Sequence, residues 1–314
     1  VVTTDGAGST TNGSLKIKNM ANNGTLELIA AGAGVTVIMK DALGKTDTFN
    51  IVTGDEALNV GTVVVNSVET INVTTTDIFT DDGLKGALLG SIADDGKDDT
   101  NSSSTLVVSA DAAKTVNVSG AGDLDLYTTS SVLTKVDANA MTGDLVYIAD
   151  GATAGTEVIA GSGDDTLIAS GKNDVLKGNA GDDTFYAGDL TTVYGGAGAD
   201  KFYFATPTQL SKVSTIADLG SGDTIYLVDN AGVGATATDD IVNTFYAAGA
   251  KYNVNTTTTF ESKVNASLVQ TGEGEATWFQ HAGNTYIVID NDGTLGDAAP
   301  LAAGAVDSYV AGKD

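Results

Sequence analysis

Between residues 160 and 203 the chain runs on a nine-residue period: AGSGDDTLI, ASGKNDVLK, GNAGDDTFY, the shortened AGDLTTVY, and GGAGADKFY. A well-formed unit has Gly early, Asp at position six and an apolar residue at position eight. The first six residues are turn material, because Gly curls the backbone tightly and leaves carbonyls exposed. The last three are strand material: Thr166-Leu167-Ile168, Val175-Leu176-Lys177, Thr184-Phe185-Tyr186 and Lys201-Phe202-Tyr203. A three-residue strand cannot bury itself alone. Stacked in register, the centres Leu167, Leu176, Phe185 and Phe202 become one continuous core. The period therefore predicts a parallel β-solenoid.

Two units make one coil, so each unit stacks on the unit two away. Asp165, Asp183 and Asp200 then fall on one edge, at offsets of eighteen and seventeen because unit 187–194 is one residue short. Asp174 stands nearly alone on the other edge, with Thr156 and Thr192 eighteen residues to either side. Stacked carboxylates repel. A hard cation between turns removes that repulsion and takes the turn carbonyls as further ligands. Calcium fits better than magnesium, which demands a tighter octahedron. Zinc is disfavoured, since the chain has no Cys and a single His, His281. The predicted cofactor is several Ca2+ ions. The candidate ligands are Asp164, Asp165, Asp174, Asp182, Asp183 and Asp200 with the turn residues Gly161, Gly163, Gly181, Gly196 and Gly198. Acidic turns beyond the repeats add Asp218 and Asp223, then Asp290 and Asp292.

Charge supports this reading. The 314 residues carry 41 acidic and 15 basic side chains, for a net charge of −26, and every basic residue is Lys. Nucleic acid is excluded as a partner, since it needs clustered cations. The absence of Cys excludes disulfides and thiol catalysis. The longest apolar run, Leu28 to Met39, is too short for the ~20 residues of a membrane-spanning helix. Val1 opens the chain without Met or a signal peptide, which reads as a fragment of a longer protein.

The expected fold class is all-β, a parallel β-solenoid ending in a calcium roll and flanked by smaller β-rich domains. Residues 1–104 form an N-terminal β-rich domain of short alternating strands, a small sandwich or an irregular solenoid. Within it, 92–104 (IADDGKDDTNSSS) reads as a linker or one more metal loop. Residues 105–205 form the solenoid, with the calcium repeats at 160–203, and Pro207 marks its end. Residues 206–314 form a C-terminal β-rich cap, with one helix expected near 240–248 and a hairpin over 276–289.

The repeats, the cap-like IADLGSGDTIYL and the hairpin ATWFQHAGNTYIVIDNDG together resemble RTX proteins exported by type I secretion. The phrases AKTVNV (113–118) and LTKVDANAMTG (133–143) are similar to the solenoids of RTX-type surface-layer (S-layer) proteins of Gram-negative bacteria. The resemblance implies a structural protein, secreted to the cell surface, that folds outside on meeting calcium. It further implies self-assembly into a two-dimensional lattice, with cell-surface polysaccharide as a second partner. Two other classes share such rolls: adhesins, and appendages of secreted hydrolases. No H-E-x-x-H or G-x-S-x-G motif occurs, and the paired acids Asp164-Asp165 and Asp182-Asp183 sit where the repeat needs metal ligands. The expectation is a protein that is not an enzyme.

Overall fold

The computed structural model describes residues 2–4, 15–28, 34–41, 43–54, 59–76, 104–149, 152–170, 173–205, 214–228, 244–245, 275–281, 284–289 and 308–313. The chain is an all-β parallel β-solenoid, and no helix occurs among the described residues. It divides into two compact units, 1–167 and 168–314.

In the first unit, strands alternate between two sheets. One sheet holds β1 (Val2–Thr4), β3 (Gly24–Leu28), β5 (Thr48–Gly54), β7 (Thr70–Thr76), β9 (Thr115–Gly120), β11 (Lys135–Met141) and β13 (Glu157–Ile159). The other holds β2 (Leu15–Met20), β4 (Val35–Met39), β6 (Asn59–Val65), β8 (Ser104–Ser109), β10 (Leu124–Thr128) and β12 (Leu145–Ile148). Neighbours are parallel, with Thr48 opposite Thr70 and Leu124 opposite Leu145. Of the two architectures open for residues 1–80, the parallel register selects the solenoid. The ladder also runs across residues 77–103, which lie outside the described residues: β7 pairs with β9, and β6 with β8. The linker or metal loop expected at 92–104 falls in that segment except for Ser104, which opens β8.

Strand alternation builds the core. In β7 every second residue is buried, so Ile71 and Val73 point inward while Asn72 and Thr74 face outward. The outward asparagines form a ladder of their own. Asn72 donates to Asn50 Oδ1 at 2.8 Å, and Asn117 donates to Asn72 Oδ1 at 2.9 Å. Such a chain of amides pins register, because a one-residue slip would turn every Asn inward.

The second unit holds β15 (Val175–Ala180), β17 (Thr192–Ala197) and β19 (Thr215–Ile216) in one sheet. The other sheet has β16 (Thr184–Ala187), β18 (Lys201–Ala205) and β20 (Thr224–Val228). In the sequence, the division between the units falls within β14 (Thr166–Ile168). Val175 faces Thr192 and Thr184 faces Lys201, seventeen residues on in both cases. Leu167, Leu176, Phe185 and Phe202 are fully buried, as the repeat pattern requires. Phe185 and Phe202 stack inside at 5.2 Å, while Tyr186, Tyr203 and Tyr226 stack outside at 4.9 and 4.5 Å.

Two expectations need correction. The ladder does not stop at Pro207, which lies outside the described residues: β18 pairs with β20, so a further coil follows. The helix expected over 240–248 is contradicted where that segment is described, because Thr244–Phe245 form strand β21. It pairs with β22 (Glu275–His281), and β-branched and aromatic residues favour the strand. The hairpin stands as expected: β22 runs antiparallel to β23 (Asn284–Ile289). Strand β24 (Ser308–Lys313) then lies between β23 and β19 and joins the hairpin to the ladder.

Candidate metal centre

Every coil from β10 to β20 turns into its second-sheet strand through an aspartate. Asp123, Asp144, Asp165, Asp183, Asp200 and Asp223 immediately precede β10, β12, β14, β16, β18 and β20. The turn must tighten just before the strand, and a Gly one or two residues ahead of each aspartate supplies that curl; the aspartate then reaches along the edge toward the neighbouring coil.

In the second unit the carboxylates form a staircase. Asp183 N–H donates to Asp200 Oδ1 at 3.0 Å, and Asp200 N–H donates to Asp223 Oδ1 at 3.1 Å. Asp223 Oδ2 accepts from Gly220 N–H at 2.6 Å. Asp182, exposed at the same turn, accepts from Ala199 N–H at 2.7 Å, and Asp218 accepts from Gly195 N–H at 2.8 Å. Asp200 is fully buried, yet its Oδ2 has no hydrogen-bond donor. A side chain at Gly195 would strike that same oxygen. Gly198, at φ 152°, brings the Gly181 carbonyl so close that no Cβ would fit. Gly196, at φ 104°, does the same with the Asn179 carbonyl.

In the first unit, Asp165 is buried and accepts from Leu145 N–H at 2.7 Å and Gly161 N–H at 3.0 Å. Asp144 Oδ1 accepts from Asp164 N–H at 2.6 Å and sits beside Gly163, while Asp123 Oδ1 accepts from Asp144 N–H at 2.7 Å. Asp123 and Asp144 were not among the ligands expected from the sequence. Their coils are too long for a nine-residue period, but Gly122-Asp123-Leu124 and Gly143-Asp144-Leu145 carry the same Gly-Asp-apolar signature.

Asp174 lies on the opposite edge, entering β15. Its Oδ2 is satisfied locally by Ser170, through N–H at 2.7 Å and Oγ at 2.9 Å. Its neighbour one coil on is Thr191, not Thr192: Val175 pairs with Thr192, so the short unit moves the partner by one. Asp290 and Asp292 lie outside the described residues.

These residues suit a calcium ion. Among the described residues no three His, Asp or Glu side chains converge on one point. A ligand set here would be one or two carboxylates completed by carbonyls of the tight turns, all oxygen, as a hard cation prefers. The buried, donor-less Asp200 Oδ2 is the atom that such an ion would satisfy. When bound, calcium supplies positive charge between carboxylates that otherwise repel.

The chain matches the RTX calcium-binding nonapeptide repeat family over residues 159–189 and 192–205. The roll is built of RTX repeats. Such repeats bind calcium, several ions to an array, and are typical of secreted proteins. No curated protein matches the chain. No helix among the described residues is long and apolar enough to cross a membrane.

Electrostatics of the RTX edge give a pH signature. Burial, reinforced by Asp144 and Asp164, raises the Asp165 pKa from 3.8 to about 7, against two backbone hydrogen bonds that lower it. Burial also raises Asp200, with Asp223, Asp218 and Asp182 adding to the shift. A folded pKa above the unfolded one means that the folded state holds its proton longer. Without calcium, stability is full below pH ~4 and falls as pH rises toward ~7, by an order of 4 kcal/mol for Asp165 alone. Calcium bound at these carboxylates would hold them ionised and invert the slope. Thermal melts in EDTA are expected to show a lower midpoint at pH ~8 than at pH ~5, and melts in calcium the reverse. Parallel slopes in the two conditions would show that these carboxylates do not hold the ion.

Proposed function

We propose that this chain is a structural, calcium-dependent S-layer subunit, or the lattice-forming part of one. It is exported by type I secretion, folds outside the cell as calcium binds, and assembles with copies of itself into a two-dimensional lattice at the cell surface. The observation that carries this reading is the extent of the solenoid. Parallel coils make up most of the described residues in both units, far beyond the RTX repeats themselves. A roll that serves as an appendage needs a catalytic neighbour. Here the neighbouring sequence is more coil, the chain has one His, and neither hydrolase motif occurs. We read it as non-enzymatic.

Folding on export follows from mass action. Extracellular calcium modules bind at ~10⁻⁴–10⁻³ M, far above cytosolic calcium. Cell-surface polysaccharide is the expected anchor. Negative-stain microscopy of the purified chain checks the lattice: ordered sheets are expected in millimolar calcium and dispersed particles in EDTA. Dispersed monomers in both would favour an adhesin or a hydrolase appendage.

A further inference from the structure

We propose a cation site outside the RTX repeats, held by Asp47 and Glu69 on the turn edge opposite the aspartates. Asp47 immediately precedes β5, and Glu69 immediately precedes β7, so the ladder brings them into adjacent coils. Thr70 N–H donates to the Asp47 carbonyl at 3.0 Å, and Asp47 N–H donates to Glu69 Oε2 at 2.9 Å. The Glu69 carboxylate is thereby fixed beside Asp47 by a backbone bond.

The second observation is the Asp47 side chain itself. It is only 6% exposed, and its Oδ2 is buried without any hydrogen-bond donor. The carboxylate oxygen is left without a donor there. A buried polar atom in this position calls for a ligand. An ammonium group does not supply it. Lys40, Lys45 and Lys114, in the flanking turns, are exposed, and among the described residues none pairs with either acid.

The turn is shaped for the carboxylate. A side chain at Gly44 would strike both Asp47 oxygens, so glycine leaves that space open. Residues 43–46 are exposed, which leaves the remaining coordination positions to backbone oxygens and water. With only oxygen donors and at least two carboxylates, the chemistry fits a divalent hard cation, and calcium best. The site lies far in sequence from the RTX match and does not depend on it.

The test uses the full chain, stripped of metal and re-equilibrated with calcium. Bound calcium is counted by equilibrium dialysis with elemental analysis, and hydrogen exchange is followed in parallel. Asp47→Asn is expected to bind one ion fewer per chain while calcium still protects 175–205. In the unaltered chain, calcium should slow exchange at 43–48 and 69–70. An unchanged ion count in Asp47→Asn overturns the proposal, as does exchange at 43–48 that ignores calcium. If Asp47→Asn does not fold, Glu69→Gln carries the same count, and exchange in the unaltered chain decides independently.

Discussion

Chelating calcium from the intact chain is expected to unfold the RTX roll and leave the early coils standing. The roll's edge stacks buried carboxylates, and its turns are tight enough that carbonyl oxygens crowd between coils. Each ion bound at about ten times its dissociation constant adds roughly 1.4 kcal/mol. Several ions then supply a large part of the ~5–15 kcal/mol that holds a typical domain. Among the described residues, the coils over 15–76 have no such staircase, and the site proposed at Asp47 and Glu69 is a single local one. Their cores are Leu26, Val37, Phe49, Ile51, Val63 and Ile71, and the Asn50–Asn72–Asn117 ladder needs no metal. Hydrogen exchange after EDTA should therefore show amides of 175–205 and 214–228 losing protection by orders of magnitude, while those of 49–54, 59–68 and 71–76 keep most of theirs. Circular dichroism should lose β signal in part. A spectrum and exchange pattern unmoved by EDTA would falsify the calcium switch.

The second large effect separates the two edges by its sign. Asp200→Asn keeps the shape but removes the charge whose Oδ2 is buried and donor-less. In calcium the substitution is expected to cost about 3–5 kcal/mol, the usual result of deleting one partner of a buried ionic site. In EDTA it should be neutral or stabilising, because an uncompensated buried carboxylate is gone. Asp183→Ala should behave like Asp200→Asn in calcium, since Asp183 lies on the same staircase. Asp174→Ala should cost only ~1–3 kcal/mol by freeing the Ser170 N–H, equally with and without calcium. Chemical denaturation of the variants in both conditions reads all of this. A calcium-dependent loss at Asp174 as large as that at Asp200 would defeat the distinction between the edges.

The roll was legible because its information is local. A nine-residue period places Leu176, Phe185 and Phe202 in the core, and the one-residue deficit of unit 187–194 yields the seventeen-residue offset from Asp183 to Asp200. Upstream the coils vary in length: Gly24 pairs with Phe49, Thr48 with Thr70 and Thr115 with Lys135. Alternation there reveals strands but not their direction, because period two reads the same in a sandwich and in a parallel coil. Asp123 and Asp144 escaped notice for the same reason, since the signature survived while the spacing did not. Thr244–Phe245 misled because a short apolar cluster does not choose between helix and strand until a partner, here Glu275–Ala276, is beside it.

The passage from β7 to β9 has a practical consequence. Thr76 and Ser104 stand far apart in the sequence, yet Thr70 faces Thr115 and Asn72 bonds Asn117. Pairing on both sides fixes that register, whatever number of residues the sequence puts between them. A solenoid wound this way is a host: it can carry foreign cargo on one coil, such as an epitope or a second domain, without asking the remaining coils to rewind.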